Sequence, residues 1–457
     1  MSRILAFIEN DMYVRNFITS AAFDLLMPDA EFGICISTAV TKLKSSIPPE
    51  KIVGAYERID ENISLVYRFN KLSMRALRKK SPTFDIKVKT RWMGGYSVQD
   101  EILSSTLSFN LITKRWLIRK FRNNPTIEKI IMEYKPDLII FPITGVESTG
   151  VELINLSQKY GFKTLFVING WDNLSSKGIF PLLPDYLGVW GLQSALDAVN
   201  IQGMPFHRVI MLGCSRYESY FIPGNADVKL FPNPYILFAG VTTPCDEITP
   251  LGILDQILED LGNTDIKIVY RPHPWREKRN CFDTFEPASY KHVILDPQIA
   301  NNYYGEKRNG TESSSSQNFP ALTYYPSLVS HALFAISPMS SMTLEAALFD
   351  VPCLVLAYDD GYHPISGSLQ AKYKHFEGGE EVPGWFFVRD SDEMKSTFRM
   401  LVERFRNDPL FKGAFRPALS SATRIYLHQD GRSYAKRLYE AAQLILAPLK
   451  LKGGSAL

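Results

Sequence analysis

Residues 266–274 read Ile266-Lys267-Ile268-Val269-Tyr270-Arg271-Pro272-His273-Pro274, a largely apolar, β-branched run that stops at an arginine and a histidine set among prolines. Such a run suits a strand buried on both faces of a parallel sheet. The prolines stiffen the turn that follows and limit where the imidazole points. Open parallel sheets collect their ligands at the carboxyl ends of strands, which is where this turn falls. Arg271 offers a planar fork of donors and His273 one more, a pairing that suits phosphate oxygens. The competing reading is a structural turn in which His273 satisfies a nearby carbonyl.

A second stretch repeats the pattern. The run Leu333-Phe334-Ala335-Ile336 leads into Ser337-Pro338-Met339-Ser340-Ser341-Met342-Thr343-Leu344-Glu345. Hydroxyls and free N–H groups at the start of a helix attract anions, although one of Ser340 and Ser341 reads as a plain N-cap. Glu345 lies one turn on, on the face of Ser341. Gly240 and Thr242 close the apolar run Tyr235–Ala239 in the same way, and Asp359 and Asp360 follow the run Leu354–Ala357. The acid pair reads equally as a solvated turn.

Outward from these motifs the chain alternates apolar runs with helical spacing. In the second half the helices fall at 251–261, 327–332, 341–349 and 392–405, and further strands at 292–295 and 385–388. In the first half, strands are expected at 3–8, 32–36, 138–141, 164–168, 186–190 and 208–213. A helix is expected over 11–26, with Phe17, Ala21 and Leu25 on one face. The stretch Phe221–Pro234 holds Pro223, Gly224, Pro232 and Pro234 and reads as a linker. A chain of 457 residues exceeds what one core supports. The expected fold is therefore α/β, two doubly wound Rossmann-like domains facing each other across a cleft, at 1–222 and 235–425, with a closing helix in 426–457 that packs back across both. The serine-rich insert Gly305–Gln317, which includes Asn309-Gly310-Thr311, reads as a surface loop.

Hydrophobic residues make up 45% of the chain and charged ones 22%, an ordinary globular balance, and a net charge of +3 is too small for a nucleic-acid binder. The N-terminus resembles neither a signal peptide nor a spanning segment, so a cytoplasmic protein is expected. Five scattered cysteines without a CxxC pair read as buried thiols. The triplet Asp390-Ser391-Asp392 reads as a helix cap, and no metal is expected. Two basic clusters, Lys71 to Arg91 and Lys114 to Arg122, read either as solvated helix faces or as attraction to an anionic membrane surface or an acidic acceptor.

The first half offers one rich polar loop, Asn169-Gly170-Trp171-Asp172-Asn173-Leu174-Ser175-Ser176-Lys177, again directly after a strand. Trp171 suits stacking on a sugar face, with Asn173 and Lys177 beside it, and Asp172 is the candidate general base. A structural Asx-turn is the alternative reading. Glu9 and Glu147, each after a strand, are reserves for the general-base role and further acceptor-side candidates.

The HP dipeptide His273-Pro274 and the downstream Ser340-Ser341 together resemble the C-terminal domain of GT-B glycosyltransferases, especially bacterial sialyl-, polysialyl- and Kdo-transferases and CDP-glycerol-type polymerases. The motifs cover mainly residues 235–360. The resemblance implies a nucleotide-sugar co-substrate, CMP- or UDP-linked, in the second domain, and a surface polysaccharide or lipopolysaccharide acceptor in the first. It places the donor phosphate against His273, Ser340 and Ser341 and the ribose against Glu345. The residues' own pattern adds Gly240, Thr242, Arg271, Pro274 and Thr343 around the phosphate, Asp359 and Asp360 as candidates for the donor sugar, and Asp172 and His273 for the catalytic roles. Sialyltransferases carry an acidic-acidic-glycine motif in the first domain, whereas the triplet here, Asp359-Asp360-Gly361, lies in the second. Transfer of polyol phosphate from a CDP-polyol, a UDP-sugar 2-epimerase and a non-catalytic binder are the alternatives.

Overall fold

A computed structural model describes residues 2–90, 96–243, 245–262, 265–273, 285–299, 321–361, 363–408 and 410–453. Pro274, Cys281 and the insert Gly305–Gln317 lie outside the described residues. The chain divides into two compact units: unit 1 comprises Met1–Glu218 and Arg424–Leu457, and unit 2 Ser219–Thr423.

Unit 1 is built on seven parallel strands: β1 (Ile4–Ile8), β2 (Phe32–Ser37), β3 (Ile52–Tyr56), β4 (Leu138–Ile143), β5 (Lys163–Ile168), β6 (Tyr186–Val189) and β7 (Val209–Met211), in the order β3-β2-β1-β4-β5-β6-β7. Every residue of β1, β2 and β4 is buried, as expected for central strands covered on both faces. The edge strand β3 keeps only Tyr56 fully buried, and its glycine-interrupted run was not anticipated from the sequence. The helix expected over 11–26 is shorter. A turn at Asp11–Tyr13 passes into a π-helix at Val14–Thr19, and Ala21 leaves it with a left-handed φ of 63°. The wider π turn slips the buried face by a residue, so Phe17, Ala22 and Phe23 enter the core while Leu25 is exposed. The closing helix Tyr434–Gly453 belongs to unit 1, where Tyr434, Leu438, Ala442 and Leu446 pack into the same core as β1 and β2.

Unit 2 has six parallel strands, β8 (Tyr235–Ala239), β9 (Lys267–Arg271), β10 (Val293–Leu295), β11 (Ala332–Ser337), β12 (Cys353–Leu356) and β13 (Trp385–Val388), in the order β10-β9-β8-β11-β12-β13. Phe238, Tyr270, Phe334 and Ile336 pack against the helices Ile248–Asp260 and Ser391–Asn407. Asp390 caps the latter helix, accepting from the N–H groups of Asp392 and Glu393 at 2.9 and 2.8 Å. Each sheet reverses its winding once, between β1 and β4 in unit 1 and between β8 and β11 in unit 2. The chain leaves the two strands of such a pair toward opposite faces, which opens a crevice beyond their carboxyl ends.

Candidate functional site

In unit 1 the crevice lies beyond β1 and β4. Glu9 directly follows β1, and Glu147 stands between β4 and the helix Thr149–Tyr160. Both carboxylates are buried, at 1% and 8% exposure. Glu147 is well satisfied. The N–H groups of Thr144, Gly145 and Val146 donate to its Oε2 at 2.9, 2.9 and 3.0 Å, and the Thr144 and Tyr13 hydroxyls donate to its Oε1. Glu9 differs: Arg58 donates to Oε1 at 3.1 Å, while Oε2 has no hydrogen-bond donor. Burial pushes the Glu9 carboxyl up to about 7; the neighbouring Glu147 charge adds to the rise and Arg58 opposes it. Thr149 lies near enough to favour the charged form slightly, yet its hydroxyl makes no hydrogen bond, and the buried hydroxyls of Tyr56 and Ser148 make none either. A group of buried polar atoms left this way calls for ordered water or a ligand. A carboxyl balanced near neutrality at a sheet end has the property that proton abstraction requires.

The loop after β5 is put together differently from the sequence expectation. Trp171 is 4% exposed and packs edge-on against Tyr426, ring centroids 5.1 Å apart. It is core, with no open face for a sugar. Gly191 explains how the returning segment comes so close, because a Cβ there would meet the Tyr426 carbonyl at 2.7 Å. Asn173 is buried and accepts from the Gly170 N–H at 2.7 Å. Asp172 accepts from the Asn173 amide at 3.1 Å and the Ser176 hydroxyl at 2.7 Å, with Lys177 at 3.7 Å. These contacts tie the loop's side chains to one another and to its own backbone.

In unit 2, β8 runs out into Gly240, Val241, Thr242 and Thr243. Beneath this turn the fully buried Glu247 accepts from the Val241 N–H at 3.1 Å and the Tyr270 hydroxyl at 2.7 Å. A Cβ on Gly240 would come within 2.5 Å of Glu247 Oε2, so glycine there serves the carboxylate packed under it. Thr242 and Thr243 remain partly exposed.

Arg271 closes β9 but turns inward. Its guanidinium is 4% exposed, pairs with the fully buried Asp296, and donates to the Tyr325 hydroxyl at 3.2 Å. Tyr324 donates to the other Asp296 oxygen at 2.5 Å. The arginine expected at a phosphate is thus committed to a buried ion pair, since a charge at that depth needs a counter-charge and satisfied donors. His273, two residues on, is partly exposed.

Beyond β11, Ser340 is the N-cap of the helix Ser341–Ala347, accepting from the Met342 N–H at 3.3 Å and meeting the Ser337 hydroxyl at 3.1 Å. Ser341 is partly exposed. Thr343, expected beside the donor, is fully buried against Cys353 of β12. A helix repeats every 3.6 residues, so Ser341 and Thr343 face different ways. Glu345 is 6% exposed and its Oε2 accepts from the Tyr220 hydroxyl, whose ring stacks on Phe349. Asp360 accepts from the Asp246 N–H at 2.9 Å and pairs with His363 Nδ1 at 2.7 Å, tying the loop after β12 to the loop after β8. Asp359 is exposed and accepts from the Gly361 N–H at 2.9 Å, a turn acid.

Of the groups missed from the sequence, Arg58, Tyr13 and Thr149 surround the acids of unit 1, and Glu247, Asp296, Tyr324 and Tyr220 hold the loops of unit 2. Asp296 had a readable signal, an acid directly after the run Val293–Leu295. Glu247 had none.

The sequence matches no protein-family model and no curated protein. Solved structures do match. S. aureus MnaA, in a co-structure with UDP, covers 98% of this chain and 97% of its own at TM-score 0.51 and 11% identity. The UDP-GlcNAc 2-epimerase of Methanocaldococcus jannaschii covers 96% of this chain and 99% of its own, at TM-score 0.51 and 13% identity. The glycotransferase of kitacinnamycin covers 96% of this chain and 98% of its own, at TM-score 0.50 and 11% identity. The likeness is one of fold, and with the two switch-point sheets it makes this a GT-B-type α/β architecture.

Proposed function

We propose that the protein transfers a glycosyl group from a nucleotide-activated sugar, CMP- or UDP-linked, to a hydroxyl of a surface polysaccharide or lipopolysaccharide acceptor. The observation that carries the reading is Glu9: a buried carboxyl held near 7 at the switch point of unit 1, with one oxygen left without a donor. In this reading Glu9, rather than Asp172, is the general base. Its carboxylate takes the proton of the acceptor hydroxyl as that oxygen attacks the anomeric carbon. The bond from that carbon to the donor phosphate breaks, the nucleotide keeps the electron pair, and the configuration inverts. The donor belongs to unit 2, its phosphate at the partly exposed His273, Thr242 and Ser341. Arg271 supports this site through Asp296 and the two tyrosines instead of touching the ligand.

Thermal-shift measurements with CMP, CDP, UDP and GDP test the donor half, because a ligand that binds only the folded state raises its melting temperature. A shift with one of them, weakened about tenfold in affinity by His273→Ala, supports the reading; no shift with any of the four removes it. Nucleotide release that requires both donor and acceptor tests transfer itself.

One observation favours a second reading. Glu147 and Tyr13 stand beside Glu9, and a UDP-sugar 2-epimerase needs several acids around the sugar. Incubation with UDP-N-acetylglucosamine and no acceptor separates the two: a 2-epimer identifies the isomerase, and unchanged donor leaves the transferase.

A further inference from the structure

The helical stretch 106–118 of unit 1 is apolar on two sides. Phe109 and Leu117, eight residues apart on the inner side, are fully buried against Phe69 and Leu72. Leu107, Leu111 and Ile112 lie on other sides and are 71%, 59% and 67% exposed, and in the preceding helix Val98–Leu103, Ile102 is 63% exposed. A helix bordering water normally presents polar residues there, so several large exposed apolar side chains within one short segment mark a surface that is covered by something.

The surrounding charge says by what. The acids of this segment are used internally, Asp100 by Lys71 at 3.0 Å and Glu101 by Arg75 at 3.0 Å. Among the described residues no carboxylate lies within ion-pair distance of Lys79, Lys80, Lys114, Arg115, Arg119 or Lys120. Burial and the charge of Lys80 both push the Lys114 amine down, a strain that an anion between the two would relieve. Trp116 joins the apolar and cationic parts, with Lys120 Nζ 4.0 Å and the Arg68 guanidinium 5.7 Å from its ring. Apolar residues flanked by lysine, arginine and an amphipathic indole fit the interfacial zone of a bilayer with anionic headgroups. A second copy of the same face would set these cations against one another. No helix among the described residues is long and apolar enough to cross a membrane, so the contact would be a surface one.

We propose that the segment 98–120 docks the protein on a membrane containing anionic phospholipid, with Leu107, Leu111 and Ile112 entering the interface and the neighbouring lysines and arginines meeting the headgroups. This goes beyond the proposed chemistry and is read without donor or acceptor, so either proposal can fail while the other stands. The test is flotation of the full chain with vesicles of phosphatidylcholine alone and of phosphatidylcholine mixed with phosphatidylglycerol. Expected is binding to the mixed vesicles, at least about tenfold weaker on the neutral ones, and weakening as salt rises. Leu107→Glu with Leu111→Glu, and separately Arg115→Gln with Arg119→Gln, should each cost about tenfold in vesicle affinity while far-ultraviolet circular dichroism and melting temperature stay those of the parent. Equal binding to both vesicle types, no binding to either, or retention by folded variants overturns the proposal. So does a dimer, seen by light scattering, that Leu107→Glu with Leu111→Glu dissolves in a protein that ignores vesicles.

Discussion

The two switch points share one topology and treat their carboxylates in opposite ways. Beyond β8 and β11 the buried acids among the described residues have structural partners, Glu247 the Val241 N–H and Tyr270, Asp296 Arg271 and Tyr324, Glu345 Tyr220, and the partly buried Asp360 is held by Asp246 and His363. Among the described residues, the partly exposed groups at the rim of unit 2 include the hydroxyls of Thr242 and Ser341 and the imidazole of His273, groups that donate to anions. Beyond β1 and β4 Glu147 is fully satisfied, whereas Glu9 keeps an oxygen without a donor. A satisfied carboxylate shapes a loop. An unsatisfied one at the same place in the fold is available to a proton.

The comparison breaks most readily at Glu9. Glu9→Gln removes the titrating group at nearly constant volume and should lower transfer about a hundred- to ten-thousandfold, with the nucleotide-induced thermal shift unchanged. In the parent, kcat/KM should rise with pH until the base is ionised near 7. A variant as active as the parent returns the role to Asp172.

In unit 2 the largest effect falls on stability. Asp296→Ala leaves Arg271 buried without its counter-charge and should cost roughly 3–5 kcal/mol in urea unfolding. A cost near zero would mean that Arg271 can swing out to a ligand after all.

Glu9 also makes a thermodynamic prediction. Its folded-state pKa, about 7, lies above the ordinary 4.5, so the folded protein holds a proton that the unfolded chain releases. The contribution is full below 4.5 and is lost as pH rises to about 7, roughly 3 kcal/mol in all. Glu152, raised to about 7 by burial, adds a loss of the same sign. The difference between parent and Glu9→Gln across this window therefore isolates Glu9, and a flat difference contradicts its assignment. The smallest effect belongs to Asp172→Asn. The amide retains an acceptor for Ser176, so transfer should change by less than about fivefold, which steady-state rates will show.

How far the site was legible depended on the distance over which each residue's partners lie. The turn at Arg271 and His273, the cap at Ser340 and the cap at Asp390 depend on neighbours in the chain, and their positions at strand and helix ends followed from local pattern. The direction of Arg271 did not, because Asp296, Tyr324 and Tyr325 come from elsewhere in the sequence. Trp171 looked like a sugar platform until Tyr426 covered it. Thr343 failed for a local reason: the phase of one helical turn separates it from Ser341.

The sequence by itself determined the alternation of buried parallel strands with helices, and hence two doubly wound sheets with loops collected at their carboxyl ends. Hydrophobic period and turn chemistry are properties of neighbouring residues. Only the tertiary structure decided which acid stays poised. Glu9 and Asp172 each follow a strand, and nothing in their surroundings along the chain tells them apart. Burial beside Glu147, with Arg58 on one oxygen and no donor on the other, raises Glu9, while Asn173, Ser176 and Lys177 occupy Asp172. Desolvation and pairing depend on distances through space, which local pattern does not encode.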